Sequence, residues 1–203
     1  MASRVFPTKN NLINTQRSLA LAKLGYDLMD RKRNILLREL MLKIEDAKSI
    51  RTDVDKTYAK AYSALQIAQI TLGKCDYSAK SVPEENGLFM DYRSVMGVEL
   101  PTVVLEPQAR DLYYGLDLTN SLLDEAYDSF NEAKILTAKL AETESCILRL
   151  ADAIKKTQKR TNALENIIIP RFKDTVKYIT DSLEEKDRED FSRLKVIKKN
   201  KDY

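Results

Sequence analysis

Apolar and small side chains recur every three or four residues through the second half of the chain, in a heptad pattern sustained over about six repeats. The pattern predicts one long coiled-coil helix. Four threonines and an arginine interrupt this seam, and polar seam residues often fix the register of paired helices at a cost in stability. The seam positions are Leu136, Leu140, Thr143, Ile147, Leu150, Ile154, Thr157, Thr161, Leu164, Ile168, Arg171, Thr175 and Tyr178.

The first half of the chain shows a similar pattern, with one glycine and no proline between Leu12 and Leu72. From Leu36 onward the apolar positions are 3.6 residues apart on average, the repeat of an unperturbed α-helix. A helix of 60 residues is about 90 Å long and needs a partner along its whole length. The expected inward positions are Leu12, Leu19, Ala22, Tyr26, Met29, Leu36, Leu40, Ile44, Ala47, Ile50, Val54, Tyr58, Ala61, Leu65, Ala68 and Leu72.

Residues 73–117 interrupt both patterns, since seven of the ten glycines and prolines in the chain fall within them. Two short β-prone runs, 94–101 and 102–105, are bounded by these breakers and predict strands. The segment is acidic, with a net charge of −4. We therefore expect a lead-in and first helix at 1–72, a central lobe with a short β-hairpin at 73–117, and a second helix with a C-terminal tail at 118–203.

Capping and breaking residues predict where the helices begin and where the second one is distorted. The second helix is expected to begin between residues 108 and 118, after Pro107, and to run to about residue 190. The tail 191–199 is expected either to continue as helix or to fray. Pro170 lies inside it and removes one backbone donor, which predicts a kink nearby. The expected N-cap of the first helix is Thr8, Asn10 or Asn11.

Two long helices joined by a small lobe favour an antiparallel pairing. The expected fold class is mainly all-α, a long antiparallel two-helix coiled-coil hairpin with a small central lobe that contains a short β-hairpin. In the simplest register, Gly25 lies opposite Glu165 and Arg31 lies opposite Lys159. Gly25 either permits a close approach of the helices or is a tolerated glycine that costs about 1 kcal/mol relative to alanine.

Composition argues against catalysis. The 203 residues include no histidine and only two distant cysteines, Cys75 and Cys146, so the usual zinc ligand sets are missing and reduced thiols in an intracellular protein are expected. Neither of the two common glycine-rich phosphate-binding motifs, the Walker motif and G-x-G-x-x-G, occurs in the sequence. The N-terminus has no apolar signal region, and no apolar run approaches the ~18–20 residues that cross a bilayer. We expect a non-catalytic protein without a cofactor and without direct membrane insertion.

Two basic stretches fall side by side in the expected pairing. Residues 23–38 carry a net charge of +3 and residues 149–177 carry +5, whereas residues 178–190 are acidic. Because like charges on neighbouring helices are unfavourable, the pattern indicates either a solvated face or an acidic partner. Seven cations, which we name the basic belt, are the predicted contact residues: Arg31, Lys32, Arg33, Lys155, Lys156, Lys159 and Arg160.

Several short runs of residues along the two predicted helices and the central lobe form a distinctive pattern in a fixed order. They resemble the D subunit of V-type and A-type rotary ATPases over essentially the whole chain. The most specific run is 156–165 followed by 168–171. Weaker matches are 7–9 with Leu12, Gly25 and Leu28 with Lys32, Arg33 and Leu36, 95–98 with Pro101, and 178–179 with 188–195. The signature residues carried over from the resemblance, outside the basic belt, are Met96, Gly97, Asn162, Ala163, Leu164, Glu165 and Pro170.

The departures from that family are modest. Thr161 stands where a valine is usual, and Asn34 stands where an aspartate is usual. The chain lacks the long C-terminal extension of the eukaryotic vacuolar members, which favours a bacterial or archaeal source.

The resemblance implies a non-catalytic rotor axle whose terminal end enters a catalytic hexamer of A and B subunits. The central lobe would then lie toward the F subunit and the coupling subunit (C/d type) above the membrane ring. ATP hydrolysis would turn the shaft and pump H⁺ or Na⁺, and reverse ion flow would drive ATP synthesis. The implied location is cytoplasmic and peripheral to the membrane, within the soluble sector of a membrane-bound complex.

Two other classes of function stay open from the residues alone. A homodimeric coiled-coil scaffold or tether predicts a stable elongated dimer, whereas the axle predicts one copy in each complex. A nucleic-acid-binding helical hairpin would use the basic belt and would bind with a steep salt dependence. The latter interpretation lacks interleaved aromatic residues, so we expect no nucleic-acid partner.

Overall fold

The computed structural model of the protein describes residues 5–83, 86–105, 113–115 and 119–201. This part of the chain is mostly helical and contains one two-stranded antiparallel sheet, as the sequence predicted. The elements are α1 (Lys9–Leu72), α2 (Asp76–Ser81), β1 (Leu88–Val95), β2 (Val98–Leu105), α3 (Ser121–Ala163), a π-helical segment (Leu164–Ile168), which we name the π-turn, and α4 (Ile169–Lys201).

The chain divides into two compact units. The terminal unit comprises Met1–Asn34 and Lys155–Tyr203, and the hairpin unit comprises Ile35–Ile154. Each unit contains a segment of α1 beside a segment of the C-terminal helices, and the hairpin unit also contains the sheet.

Local capping explains both ends of α1. The N–H of Asn11 donates to Oγ1 of Thr8 at 3.3 Å, so the prediction of Thr8 as N-cap is confirmed. At the other end, Gly73 has a φ of 77°, which side chains other than glycine rarely adopt. Its N–H donates to the carbonyl of Gln69 at 2.9 Å, which closes the last turn of the helix.

The inner face of α1 is the one that its apolar pattern predicted. All sixteen predicted inward positions are buried or half-buried, and Leu36, Ala61 and Ala68 have no exposed surface. Gly25 is not a site of close approach, because a Cβ atom at that position would meet nothing within 4 Å. Gly25 therefore serves no close approach of the helices, and it lowers the stability of its helix by about 1 kcal/mol relative to alanine.

Contacts between side chains confirm the antiparallel pairing within each unit. In the hairpin unit, Tyr62 meets Phe130 edge to face with ring centroids 5.4 Å apart. In the terminal unit, Arg33 meets Gln158 with a hydrogen bond of 2.9 Å. Both contacts lie within two residues of the predicted register.

The predicted start of the second helix is wrong. Helix α3 begins at Ser121, because Asn120 acts as its N-cap: Oδ1 of Asn120 accepts the N–H of Leu123 at 3.2 Å. Residues 113–115 and 119–120 are not helical, and Pro107 lies outside the described residues. The helix does not end near residue 190: the tail 191–199, for which a helical continuation was one expectation, belongs to α4, which continues to Lys201.

The β-hairpin is confirmed, but its strands differ from the predicted runs. Strands β1 and β2 pair from Leu88 opposite Leu105 to Val95 opposite Val98. The turn between them is Met96-Gly97, with φ angles of 51° and 75°. Two positive φ values in a two-residue loop match the twist of antiparallel strands. The prediction of a single strand at 94–101 is therefore wrong, because this run contains the turn.

The free edge of β2 is bonded to α3 by side chains. Pro101 lies in β2 at a position where its missing N–H costs no bond to β1. Three hydrogen bonds join the outer edge of β2 to α3. The N–H of Val103 donates to Oε2 of Glu142 at 2.9 Å, Sγ of Cys146 donates to the carbonyl of Pro101 at 3.3 Å, and Nη1 of Arg149 donates to the carbonyl of Glu99 at 3.1 Å. The edge is therefore protected against pairing with other chains.

A small core lies beneath this docked edge. Leu36 and Leu150 are fully buried there, beside Leu100 and Cys146. Burial, followed by the nearby carboxylate of Glu142, raises the pKa of the Cys146 thiol. The thiol is a packing residue that donates one hydrogen bond, as a small buried cysteine commonly does.

The predicted seam of the C-terminal helix is confirmed as far as Leu164, and beyond it three of the four predicted positions are wrong, whereas Thr175 is half-buried. Ile168, Arg171 and Tyr178 are exposed, although the heptad count placed them inward. The inward positions are shifted by one residue and are Ile169, Phe172, Val176, Ile179 and Leu183. All five are apolar, so the shift is visible in the sequence once the count restarts after Leu164.

The π-turn is the physical reason for this shift. The N–H of Ile169 donates to the carbonyl of Leu164, five residues earlier, instead of four as in an α-helix. The wider turn holds one additional residue and rotates the following helix by about 100°. Pro170 lies two residues after the π-turn, so the distortion occurs where the proline predicted one, in the form of a π-helical segment.

Candidate functional site

Most of the basic belt forms an exposed cationic surface in the terminal unit. Lys155, Lys156, Lys159 and Arg160 lie on the last turns of α3, with a spacing that places neighbouring members on one face. All four are exposed, as is Arg31 on α1, and Lys32 is half-buried. Within the described residues, none of these six cations lies within 4.0 Å of a carboxylate oxygen.

Arg33 differs from the rest of the basic belt, because its charge is used within the protein. It forms an ion pair with Asp30, and its Nη1 donates to Oε1 of Gln158 at 2.9 Å. Nε2 of Gln158 donates in turn to Oδ1 of Asn162 at 2.7 Å. This polar relay connects α1 with α3 and fixes their register. The sequence pointed to Arg33 and Asn162 but missed Asp30 and Gln158.

Arg149 also lies outside the exposed cationic surface, although it falls in the basic stretch 149–177. Its guanidinium bonds the carbonyl of Glu99 and stands over the ring of Tyr92 at 5.4 Å from the centroid. A cation over an aromatic ring is held by the ring's quadrupole. This charge therefore serves to dock the hairpin.

The signature residues of the C-terminal helix mark the end of α3 and the start of the π-turn. Ala163 is the last residue of α3, and Leu164 and Glu165 begin the π-turn. Glu165 is exposed, and its negative charge is the largest of the effects that raise the pKa of the Tyr26 hydroxyl on α1. Pro170 follows the π-turn in the first turn of α4.

Thr161 is buried with 1% of its surface exposed, in a position that suits an apolar residue of the same shape. Its hydroxyl donates to the carbonyl of Thr157 at 3.0 Å, so burial leaves no unpaired donor. Asn34, the other departure from the family pattern, is exposed and donates to Asp30 at 3.2 Å. Both residues fit their surroundings.

Met96 and Gly97 lie together at the tip of the hairpin and far in sequence from the basic belt. They belong to the hairpin unit, whereas all seven residues of the basic belt belong to the terminal unit. The outer part of the hairpin exposes about half of the surface of several large apolar side chains: Leu88, Phe89, Met90, Tyr92, Met96 and Val104.

A groove of about 1220 Å³ opens beside the π-turn in the terminal unit. Asn166, Ile167 and Arg171 line one side, and Val5 and Thr15 contribute from the N-terminal part of the chain. Sequence reasoning missed this groove because it assigned Arg171 to the helix seam.

Two kinds of site are not found in the described parts of the chain. No group of three or more histidine, cysteine, aspartate or glutamate side chains is arranged to hold a metal ion. No helix there is long and apolar enough to span a bilayer.

Comparison with known proteins gives the family. Residues 11–199 match the family described as the D subunit of ATP synthase. The chain belongs to this family. The D subunit of a V-type ATP synthase from Thermotoga neapolitana is 44% identical over 96% of this chain and 97% of its own length. The D subunit of an A-type ATP synthase from Methanosphaera stadtmanae is 39% identical over 97% of this chain and 94% of its own length.

A third relative extends the comparison among the archaea. The D subunit of the A-type ATP synthase from Thermococcus sibiricus is 36% identical over 96% of this chain and 94% of its own length. The match to the family includes the basic belt, the hairpin turn and the π-turn, so all the candidate residues lie within it.

Proposed function

We propose that this member of the D-subunit family is the non-catalytic central rotor of a V/A-type ATPase or ATP synthase. It transmits torque between ATP turnover in a hexamer of A and B subunits and translocation of H⁺ or Na⁺ by the membrane ring. The observation that carries this proposal is the surface of six cations in the terminal unit, five exposed and Lys32 half-buried, none of which is paired with a carboxylate within the described residues.

Unpaired lysine and arginine side chains suit a surface that slides past acidic groups. An exposed ion pair contributes only about 0–1 kcal/mol, because water and salt screen the attraction. No single partner therefore holds the shaft at one angle, while several such contacts together keep it centred. The long side chains of Lys155 and Lys159 exchange one acidic partner for the next as the shaft turns.

The polar relay through Arg33 and Gln158 supports the same function in another way. A shaft transmits torque only if its helices do not slide past one another, and a polar link across a helix pair opposes sliding. The apolar inner face of α1 supplies the packing, and the relay supplies the register.

The hairpin unit suits a separate partner. The exposed apolar side chains of the outer hairpin, such as Phe89 and Met90, form a surface of the kind that binds another protein. We assign this surface to the F subunit and the coupling subunit of the complex. The whole assembly works at the cytoplasmic side of the membrane, and this chain remains peripheral to the bilayer.

The test replaces the cations of α3 with neutral residues. A variant with Lys155, Lys156, Lys159 and Arg160 all changed to Gln is assembled with the A and B subunits and the membrane sector in liposomes. ATP-driven ion uptake is then expected to fall at least fivefold at low salt, because the shaft loses its attraction to the hexamer. High salt should reduce the difference from the wild type by screening the wild-type contacts.

A matched control neutralises four exposed cations of the hairpin unit, Lys48, Arg51, Lys56 and Lys60, which are also changed to Gln. This control should retain full ion uptake. Equal activity of the two variants would refute the role of the basic belt. Native mass spectrometry of the assembled complex distinguishes the two classes of protein. One copy of this chain for each hexamer of A and B subunits supports the rotor, whereas a stable homodimer of this chain without the hexamer supports a tether.

A further inference from the structure

Two irregularities in the terminal unit coincide at one level of its helix pair. One is the π-turn, and the other is Gly25 in α1. Each weakens its own helix for a different physical reason.

The π-turn contributes little packing to the helix pair over four consecutive residues. Residues 165–168 are all exposed, whereas the flanking Leu164 and Ile169 are half-buried. Pro170 has no N–H, so the carbonyl of Asn166 lacks its α-helical donor. One side of the turn opens into the groove of about 1220 Å³. This level of the helix therefore has few interactions to hold it in one conformation.

Gly25 lies at the same level on the other helix. Antiparallel pairing from the Arg33–Gln158 contact brings Tyr26 opposite Glu165 two turns further along. The effect of the Glu165 carboxylate on the pKa of Tyr26 agrees with this position. A Cβ atom at Gly25 would meet nothing within 4 Å, so the space beside it is empty. Glycine is also the least favourable residue in a helix after proline.

We infer that Gly25 and the π-turn form a flexible joint in the terminal unit. The joint allows the helix segments on its two sides to bend and twist relative to each other, while the apolar pairing of each segment stays intact. The extra residue of the π-turn is not needed for that pairing: without it, Leu164 and Ile169 would be four residues apart and the spacing of three and four would continue.

The first test measures distances between spin labels on the full-length chain. Labels at Lys156 and Lys177, both exposed, span the joint on one helix, in a background with Cys75→Ser and Cys146→Ser. Labels at Ser49 and Ile70 span the same number of residues within uninterrupted α1 of the hairpin unit. The joint predicts a distance distribution at least twice as wide for the first pair. Equal widths would overturn the inference.

The second test removes the joint. A variant that combines Gly25→Ala, Pro170→Ala and deletion of Asn166 should fold and narrow the 156/177 distribution to that of the control pair. A variant with Lys173 deleted is the matched control, because this deletion lies outside the π-turn and displaces Val176 and Ile179 from the inner face. It should lose helicity. If the joint-free variant keeps the broad distribution, the breadth has another source and the inference is wrong.

Hydrogen exchange provides a readout that needs only one conservative change. Gly25→Ala should slow the exchange of amides at residues 22–29 by about fivefold, since alanine stabilises a helix relative to glycine. Asn14→Ala, on an exposed position of the same helix, should leave these amides unchanged. Unchanged exchange in Gly25→Ala would count against the joint. All three measurements use the isolated chain, so their outcome does not depend on the proposed rotor function.

Discussion

The hairpin unit and the terminal unit use similar helices in different ways. In the hairpin unit, two polar side chains of α3, Glu142 and Arg149, bind the edge of β2. In the terminal unit, the next turns of the same helix carry Lys155 to Arg160, which have no carboxylate partner among the described residues. On this helix, the polar contacts to the hairpin end at Arg149, and the cations that follow have no carboxylate partner within the described residues.

The difference teaches that charge counted along a sequence does not by itself define a binding surface. Arg33, Arg149 and Lys159 all belong to the same two basic stretches. Arg33 fixes the register, Arg149 docks the hairpin, and Lys159 remains exposed and unpaired within the described residues. Each role depends on what the neighbouring element offers, which only the folded structure shows.

The largest effect is expected from the core of the hairpin unit. Leu150→Ala removes a side chain with no exposed surface and should lower the free energy of unfolding by about 2–5 kcal/mol. Urea unfolding followed by circular dichroism measures this loss. Leu148→Ala, at a position 70% exposed two residues away, should change it by less than about 0.5 kcal/mol. Similar losses in both variants would mean that the core lies elsewhere.

A smaller effect is expected at the docked edge of β2. Glu142→Ala removes the acceptor of the Val103 N–H, which should cost about 1–3 kcal/mol and speed hydrogen exchange at that amide. Glu144→Ala, on an exposed position of the same helix, should leave the Val103 amide protected. If Val103 exchanges equally slowly in both variants, the carboxylate does not hold the edge.

The sequence predicted the regular parts of this fold well, because they follow from hydrophobic spacing. The sixteen inward positions of α1 are correct since one uninterrupted helix keeps one phase. The seam of the second helix failed after Leu164 because the count assumed a constant repeat, and the π-turn adds a residue. Pro170 gave the place of the distortion but not its form.

The sequence predicted which basic residues form the candidate site, but it did not predict the polar contacts between the two helices there. The four basic residues within 155–160 are exposed as a helical face should be, and the role proposed for them comes from the family resemblance. The relay from Asp30 through Gln158 was not predictable, because two helices must first be aligned before a glutamine on one is seen to meet an arginine on the other. The start of α3 was missed since the N-cap role of Asn120 competes with other polar residues nearby.

The relay in the terminal unit gives a moderate prediction. Gln158→Ala removes the acceptor for Arg33 and the donor for Asn162, and should lower the free energy of unfolding by about 1 kcal/mol. Chemical unfolding measures the change. Lys159→Ala is the neighbouring control and should be nearly neutral, since its side chain is exposed and has no carboxylate partner in the described chain. A larger loss in the control would place the register contact elsewhere.

The smallest effect concerns a single proton at the level of the π-turn. The carboxylate of Glu165, followed by burial, raises the pKa of Tyr26 above its ordinary value of 10.0, so Glu165→Gln should lower that pKa. In the wild type, the folded state holds this proton more tightly than the unfolded state. The contribution of this group to the free energy of unfolding is therefore constant at pH values below the pKa of the unfolded state. It falls as the pH rises from about 10 through the pKa of the folded state.

Carbon-13 NMR of labelled tyrosine follows this titration, and Tyr26→Phe identifies the resonance among the ten tyrosines of the chain. Glu184→Gln, at an exposed position further along α4, should leave the Tyr26 pKa unchanged. An unchanged value in Glu165→Gln would show that Glu165 does not face Tyr26. The pairing of Gly25 with the π-turn would then lose one of its two supports, and the contact between Arg33 and Gln158 alone would define the register at that level.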